Sequence, residues 1–192
     1  MGDLVKIFIA AFLINNIILM RFIALCSYIG MTSDVSQSVG MGLAVTFVTV
    51  MASAVTWPIY YYILKPNRLD FLEILVFIVV IAALVQLVEF YLKKSVPGLY
   101  RAMGIYLPLI TTNCAILAVT FDQITYNYTF VQSIVFALAV SLGYLLAMLL
   151  LAGVRRRMKT SPVPGFMMET PILFLATSLI AVAFMGFAGL IK

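Results

Sequence analysis

Long uncharged runs alternate along the chain with short clusters of charge, and the runs set the expected architecture. A window of about 19 residues marks apolar stretches near 4–29, 39–64, 72–92, 102–121, 130–154 and 171–191. Each suffices for a helix across a hydrocarbon core of about 30 Å, which takes about 20 residues. Backbone groups in lipid must be satisfied within their own segment, and none of the runs shows the alternation of a barrel strand, so helix is the predicted state. The expectation is a single all-α integral membrane domain, 1–192, of six transmembrane helices.

Composition agrees and narrows the class. The chain is 65% hydrophobic and only 10% charged, against about 25% charged in soluble domains. The basic residues lie between spans and form no stripe, so no nucleic-acid partner is expected and the lipid bilayer is the first partner. Asp3 and Lys6 lead directly into a long segment with Asn15 and Asn16, unlike a cleaved leader, and Lys6 stands where a myristoylation signal wants Ser or Thr. The first segment is therefore expected to be retained and unlipidated.

Charge also predicts orientation. Lys93, Lys94, Arg101, Arg155, Arg156, Arg157 and Lys159 would share one face, and Lys6, Lys65, Arg68 and Lys192 the other. Short loops rich in Lys and Arg stay cytoplasmic, which puts the 155–170 loop inside and both termini outside.

Sliding the chain against itself by 95 or 96 residues pairs "LINN" (13–16) with "LITT" (109–112), "LAVT" (43–46) with "LAVS" (138–141), and Glu73 with Glu169. One match falls in each of three paired spans, in order, suggesting repeats of approximately 1–96 and 97–192. A three-helix repeat has its second copy inverted in the membrane, and such repeats place their site near the midplane at interrupted helices. The first span, with Asn15, Asn16 and Arg21, and the fourth, with Pro108 and Thr111 to Asn113, are the candidates for interruption.

Those two spans carry both cysteines. Cys26 in "FIALCSY" and Cys114 in "TTNCAIL" can each be read as a small buried hydrophobe. They can also be read as ligands: Pro108 removes a backbone donor, and Thr111, Thr112 and Asn113 can hydrogen-bond freed backbone and donate to a metal-bound sulfur. Two thiolates are half of the four ligands of a 2Fe-2S cluster, so a partner chain would supply the others. A disulfide has no support from position. Counted along straight helices at about 1.5 Å per residue, Cys114 falls near mid-membrane and Cys26 near the inner surface. A break near Asn15 and Asn16 would bring Cys26 inward.

Arg21 is costly within a span unless it snorkels or finds a carboxylate or carbonyl; it could also offset the charge of a thiolate-ligated cluster. Glu89, three residues after Gln86, could serve an ion path. Gly40, Gly42, Gly186 and Gly189 read as close helix-packing points. The chain has no histidine, which excludes histidine-ligated haem within it, and no residue is assigned a catalytic role.

"LINNIILMRFIALCSYIGM", "SVGMGLAVTFV", "LYRAMGIYLPLITTNCAILAV" and "AFMGFAGLIK" together resemble the family of the Rnf A subunit, within the wider group of paired Rnf A and E and sodium-pumping quinone-reductase D and E subunits. The resemblance covers essentially the whole chain, and "LPLITTNC" is its most specific motif. It implies a prokaryotic inner-membrane component of a ferredoxin:NAD oxidoreductase whose electron transfer drives sodium or proton translocation, non-catalytic alone. It implies further that Cys26 and Cys114 bind an intramembrane 2Fe-2S cluster shared with the homologous Rnf E subunit, beside the B, C, D and G subunits of the Rnf complex. Without that resemblance, a secondary transporter or a purely structural membrane component would fit the same pattern.

Overall fold

The structure, a computed structural model, describes residues 2–67, 70–95, 113–158 and 170–186, mostly helical with no strand among them. The first apolar run is not one helix. α1 (Gly2–Ile9) widens into a π-helical turn over Ala10–Ile14, stops at Asn15 and Asn16, and resumes as α2 (Ile17–Arg21) and then α3 (Leu25–Met31). α4 (Val35–Ile59) contains Pro58 close to its end. A proline cannot donate to the ladder, and the helix continues as a second π-helical turn, Tyr60–Leu64. After two short turns, Lys65–Asn67 and Asp70–Leu72, come α5 (Glu73–Ser95), α6 (Cys114–Thr125), α7 (Phe130–Met158) and α8 (Thr170–Met185).

Among the described residues three stretches are long and apolar enough to cross a membrane: Val35–Leu64, Glu73–Phe90 and Phe130–Met158. Leu4–Ile14, Cys114–Thr125 and Pro171–Met185 are shorter apolar helices. The expected first half of the fourth span, with Pro108, Thr111 and Thr112, lies outside the described residues.

α7 is the axis. Its 29 residues span about 43 Å at 1.5 Å each, and Ala137, Ala139, Val140, Tyr144, Ala147, Met148 and Leu151 are buried along it. Small residues let a second helix approach closely, and α4 makes its most extensive contact here. A Cβ on Gly42 would collide with Leu145 Cδ1, so Gly42 is the close-packing point the sequence suggested. Gly40 and Gly186 are not: a Cβ at either meets nothing within 4 Å among the described residues. Gly189 lies outside them.

A polar clamp ties α6 into the same core. Gln123 is fully buried; its Nε2 donates to Thr56 Oγ1 at 2.9 Å and its Oε1 accepts from Ser53 Oγ. Both ends of the amide are matched, as burial requires. α5, by contrast, faces outward, with 17% of its membrane-length window buried against 56% for α7. Its exposed Ile74, Leu75, Ile78, Val79, Leu87 and Phe90 present an apolar face suited to lipid or another chain.

Candidate metal centre

Asn16 and Asn113 perform the same local task. Each is extended, and each uses its side-chain oxygen to cap a new helix: Asn16 Oδ1 accepts from Ile18 N at 3.1 Å and Asn113 Oδ1 from Ala115 N at 3.0 Å. Asparagine is among the best residues for this because its carbonyl satisfies an amide left over at the helix start. Both are buried, so the caps lie inside the bundle.

After Asn16 the chain makes a short excursion. α2 is closed by Phe22 in the left-handed conformation (φ 53°), and Ala24 (φ 66°) does the same just before α3. Such angles are unusual for residues with a Cβ and hold only where surrounding contacts enforce them. Here the carbonyl of Ala24 accepts both from Tyr28 N at 3.1 Å and from Ser27 Oγ at 3.0 Å.

Both cysteine-bearing helices start beside the middle of α7. Asn16 Nδ2 donates to the Gly143 carbonyl at 2.8 Å, and the Tyr144 hydroxyl donates to Ser27 Oγ at 2.9 Å. The same hydroxyl lies near the Asn113 side chain and within electrostatic reach of Cys26. Asn113 Nδ2 is buried and has no hydrogen-bond partner among the described residues.

From this level the two helices diverge. α3 runs toward the arginine end of α7, where Arg155 donates to the Ile29 carbonyl at 3.1 Å. α6 runs toward the other end, where the Tyr126 and Phe136 rings stand 6.3 Å apart. Cys114 is the first residue of α6 and Cys26 the second of α3. Both thiols are exposed on the chain's surface and neither is in a disulfide. The break thus brings Cys26 beside the middle of α7, and both cysteines are exposed on this chain rather than packed in its own core.

Arg21 has its own partner. Its Nη1 donates to both oxygens of Asp122, at 2.9 and 2.7 Å, and Nη2 reaches the Tyr126 hydroxyl at 3.3 Å. Asp122 is eight residues along α6 from Cys114, about 12 Å at 1.5 Å per residue, so the arginine's charge is met well away from that thiol. The pair rims a crevice of about 280 Å³ whose walls include Lys6, Asn15, Tyr126 and Tyr128. Burial foremost, then Tyr126 and Asp122, pushes the Tyr128 phenol above its usual range. The pair is partly exposed, and coupling of about 0.5–1 kcal/mol is expected. In thermal unfolding of the solubilised protein, the Arg21→Met/Asp122→Leu double variant should therefore lose less than the two single losses combined. Strict additivity would show that the pair contributes nothing.

Gln86 is exposed and Glu89 half-buried on outward-facing α5. Neither is brought to the cysteines by any contact described. Among the described residues no three Cys, His, Asp or Glu side chains gather as a metal site. Four participating residues escaped sequence reading: Ser27, Asp122, Gly143 and Tyr144. Two carried a signal, since an intramembrane arginine calls for a carboxylate and a mid-span tyrosine for a hydroxyl partner.

A chain whose described residues are mostly helical, with membrane-length apolar helices and a first apolar run broken inside the bundle, is a multi-pass membrane protein. The profile of the Rnf-Nqr subunit membrane-protein family matches residues 4–191, and the chain belongs to that family. It is 49% identical over 191 residues to the A subunit of the ion-translocating oxidoreductase complex of Syntrophotalea carbinolica, covering 100% of this chain and 99% of that one. It is 48% identical over 187 residues to the A subunit of the Na(+)-translocating ferredoxin:NAD(+) oxidoreductase complex of Acetobacterium woodii, covering 97% of each. The A subunit of the Methanosarcina acetivorans ion-translocating oxidoreductase complex is 46% identical over 191 residues, 98% of this chain and 96% of its own.

Proposed function

We propose that this chain is the A-type membrane subunit of an ion-translocating ferredoxin:NAD oxidoreductase, and that Cys26 and Cys114 supply two of four thiolate ligands to a 2Fe-2S cluster completed by a homologous sister chain. The observation that carries the ligand reading is the meeting of two separate helix starts at the middle of α7, each presenting a surface thiol in its first turn. A thiol that only filled space would be buried. One that shares a metal with another chain has to stand at the surface.

The donor chemistry fits. Soft thiolates suit iron-sulfur iron. The start of α6 turns backbone N–H groups and the positive end of its dipole toward Cys114, and the unsatisfied Asn113 Nδ2 is a donor for a negatively charged sulfur. Bound there, the cluster would carry single electrons between the two membrane faces. The protein's part is to hold the thiols at fixed depth and to exclude water around them.

The finer architecture follows from the same reading. Six helices form two inverted halves in the prokaryotic inner membrane, with both termini outside and the 155–170 loop cytoplasmic, and the moving ion is sodium or a proton. The opposite courses of α3 and α6 from a common level support the inversion. An ion path past Gln86 and Glu89 rests on their position alone.

Iron analysis and electron paramagnetic resonance of the purified complex test the reading. A paramagnetic signal should remain in a subcomplex of this chain and its homologous sister, and its absence would leave the transporter or structural reading. Reporter fusions at the C-terminus and within 155–170 test topology, and a cytoplasmic C-terminus would reverse the orientation.

A further inference from the structure

The crevice beside Arg21 lies apart from the thiols and carries a charge imbalance of its own. Lys6, Arg21 and Asp122 line it together, against an apolar wall of Ile7, Phe136 and Val140. Arg21 holds both oxygens of Asp122 and reaches the Tyr126 hydroxyl, so a cation entering the crevice would find the carboxylate taken. Those bonds do not exhaust the guanidinium's donors, and the Arg21 side chain is 42% exposed. Lys6 is exposed and has no hydrogen-bond or ion-pair partner among the described residues. Two cations facing one carboxylate leave a positive charge unmatched.

The surroundings give the crevice its level in the membrane. The carbonyl of Tyr128, in the crevice wall, accepts from Trp57 Nε1 at 2.9 Å. The Trp57 and Tyr61 ring centroids are 4.5 Å apart, and Lys65 Nζ stands 4.8 Å from the centre of the Tyr61 ring. These residues close the membrane-length stretch Val35–Leu64, and tryptophan, tyrosine and lysine at the end of such a stretch mark the headgroup layer. We propose that the crevice binds the phosphate of an anionic phospholipid, with Lys6 and Arg21 donating to its oxygens. At about 280 Å³ the space is at the low end for a small-molecule site, about 300 Å³, and suits a headgroup with its chains left outside. A zwitterionic headgroup would bring a cation of its own to a site already positive. No cysteine takes part, so the site stands or falls apart from the cluster.

Trp57 is the chain's only tryptophan and is bonded to the crevice wall, so its fluorescence reads this end of the protein and not the arginine-rich end of α7. The full-length chain purified in detergent is titrated with phosphatidylglycerol or phosphatidylcholine carrying brominated acyl chains, and quenching of Trp57 gives their relative affinities. The anionic lipid should be preferred about fivefold, the share of one basic side chain at a charged membrane surface. Lys6→Met should abolish that preference. Asp122→Asn leaves Arg21 without its counter-charge and should raise it about fivefold again. Lys65→Met is the control, since Lys65 stands at the same end but outside the crevice, and it should keep the parent's preference.

A parent preference below about twofold, well short of one basic side chain, would overturn the proposal, and so would a Lys6→Met variant that keeps the parent's preference. An equal loss in Lys6→Met and Lys65→Met would overturn it as well, because it would show a diffuse attraction to the whole end of the protein. Lowered preference in Asp122→Asn would contradict the charge balance; if that variant fails to fold, Lys6→Met decides alone, since it replaces an exposed side chain. Excess inorganic phosphate should leave the quenching by phosphatidylglycerol in place. Its reversal would assign the crevice to a free anion and overturn the lipid assignment.

Discussion

Cys114→Ser is expected to remove or profoundly alter the iron signal of the assembled complex, and Cys26→Ser to do the same. Serine offers a harder and far less acidic oxygen in place of a thiolate, a poor exchange for iron-sulfur iron. The fold should survive. Both residues are exposed on this chain, and serine is near cysteine in size and can take up similar polar contacts. The caps that start the two helices belong to Asn113 and to the backbone around Ala24, and neither depends on sulfur. Turnover from ferredoxin to NAD and coupled ion movement should fall together, by orders of magnitude, while the complex still assembles. Iron content, paramagnetic resonance and transport in proteoliposomes measure the three consequences. A normal cluster and normal turnover in both single variants would refute the ligand assignment.

The equivalence of the two positions was only half legible in the sequence. Polar residues in an apolar run expose a break because they must satisfy backbone that no helix satisfies, which is how Asn16 and Asn113 announced themselves. The conformation after a break has no such signature. Phe22 and Ala24 adopt left-handed angles that neither residue type favours, so the excursion through α2, and with it the depth of Cys26, depends on tertiary contacts to α7.

Arg21 shows the same limit from the other side. Its cost in a span was readable, and a carboxylate was one of several ways to meet it. The choice of Asp122 depends on α2 turning toward α6, which no local pattern encodes. Gly42 and Gly40 are two residues apart on one helix, and only the first meets α7. Small residues mark where approach is possible, and the partner helix decides where it occurs.

Gly143 carries the largest structural prediction. A Cβ there would lie 2.9 Å from the Phe12 carbonyl oxygen and 3.2 Å from Asn16 Nδ2. The first obstacle is backbone in the π-helical turn Ala10–Ile14 and cannot swing aside as a side-chain end can. The second is the amide that donates to Gly143's own carbonyl. Gly143→Ala must therefore push α1 away from α7 and stretch the bond that anchors the break. Overpacking of this kind costs about 1–3 kcal/mol, against a gain of up to about 1 kcal/mol from replacing glycine in a helix. Gly143→Val adds two methyl groups to the same obstruction and should abolish stable insertion of the first segment, with loss of the protein from membranes. Gly153 on the same helix is the control, since a Cβ there meets nothing within 4 Å among the described residues, and Gly153→Ala should leave the unfolding midpoint unchanged or raised. The measurement is the midpoint and membrane abundance of the three variants side by side. Equal behaviour of Gly143→Ala and Gly153→Ala would show that α1 does not depend on this contact, and that something other than the Gly143 carbonyl holds Asn16 and the helix break in place.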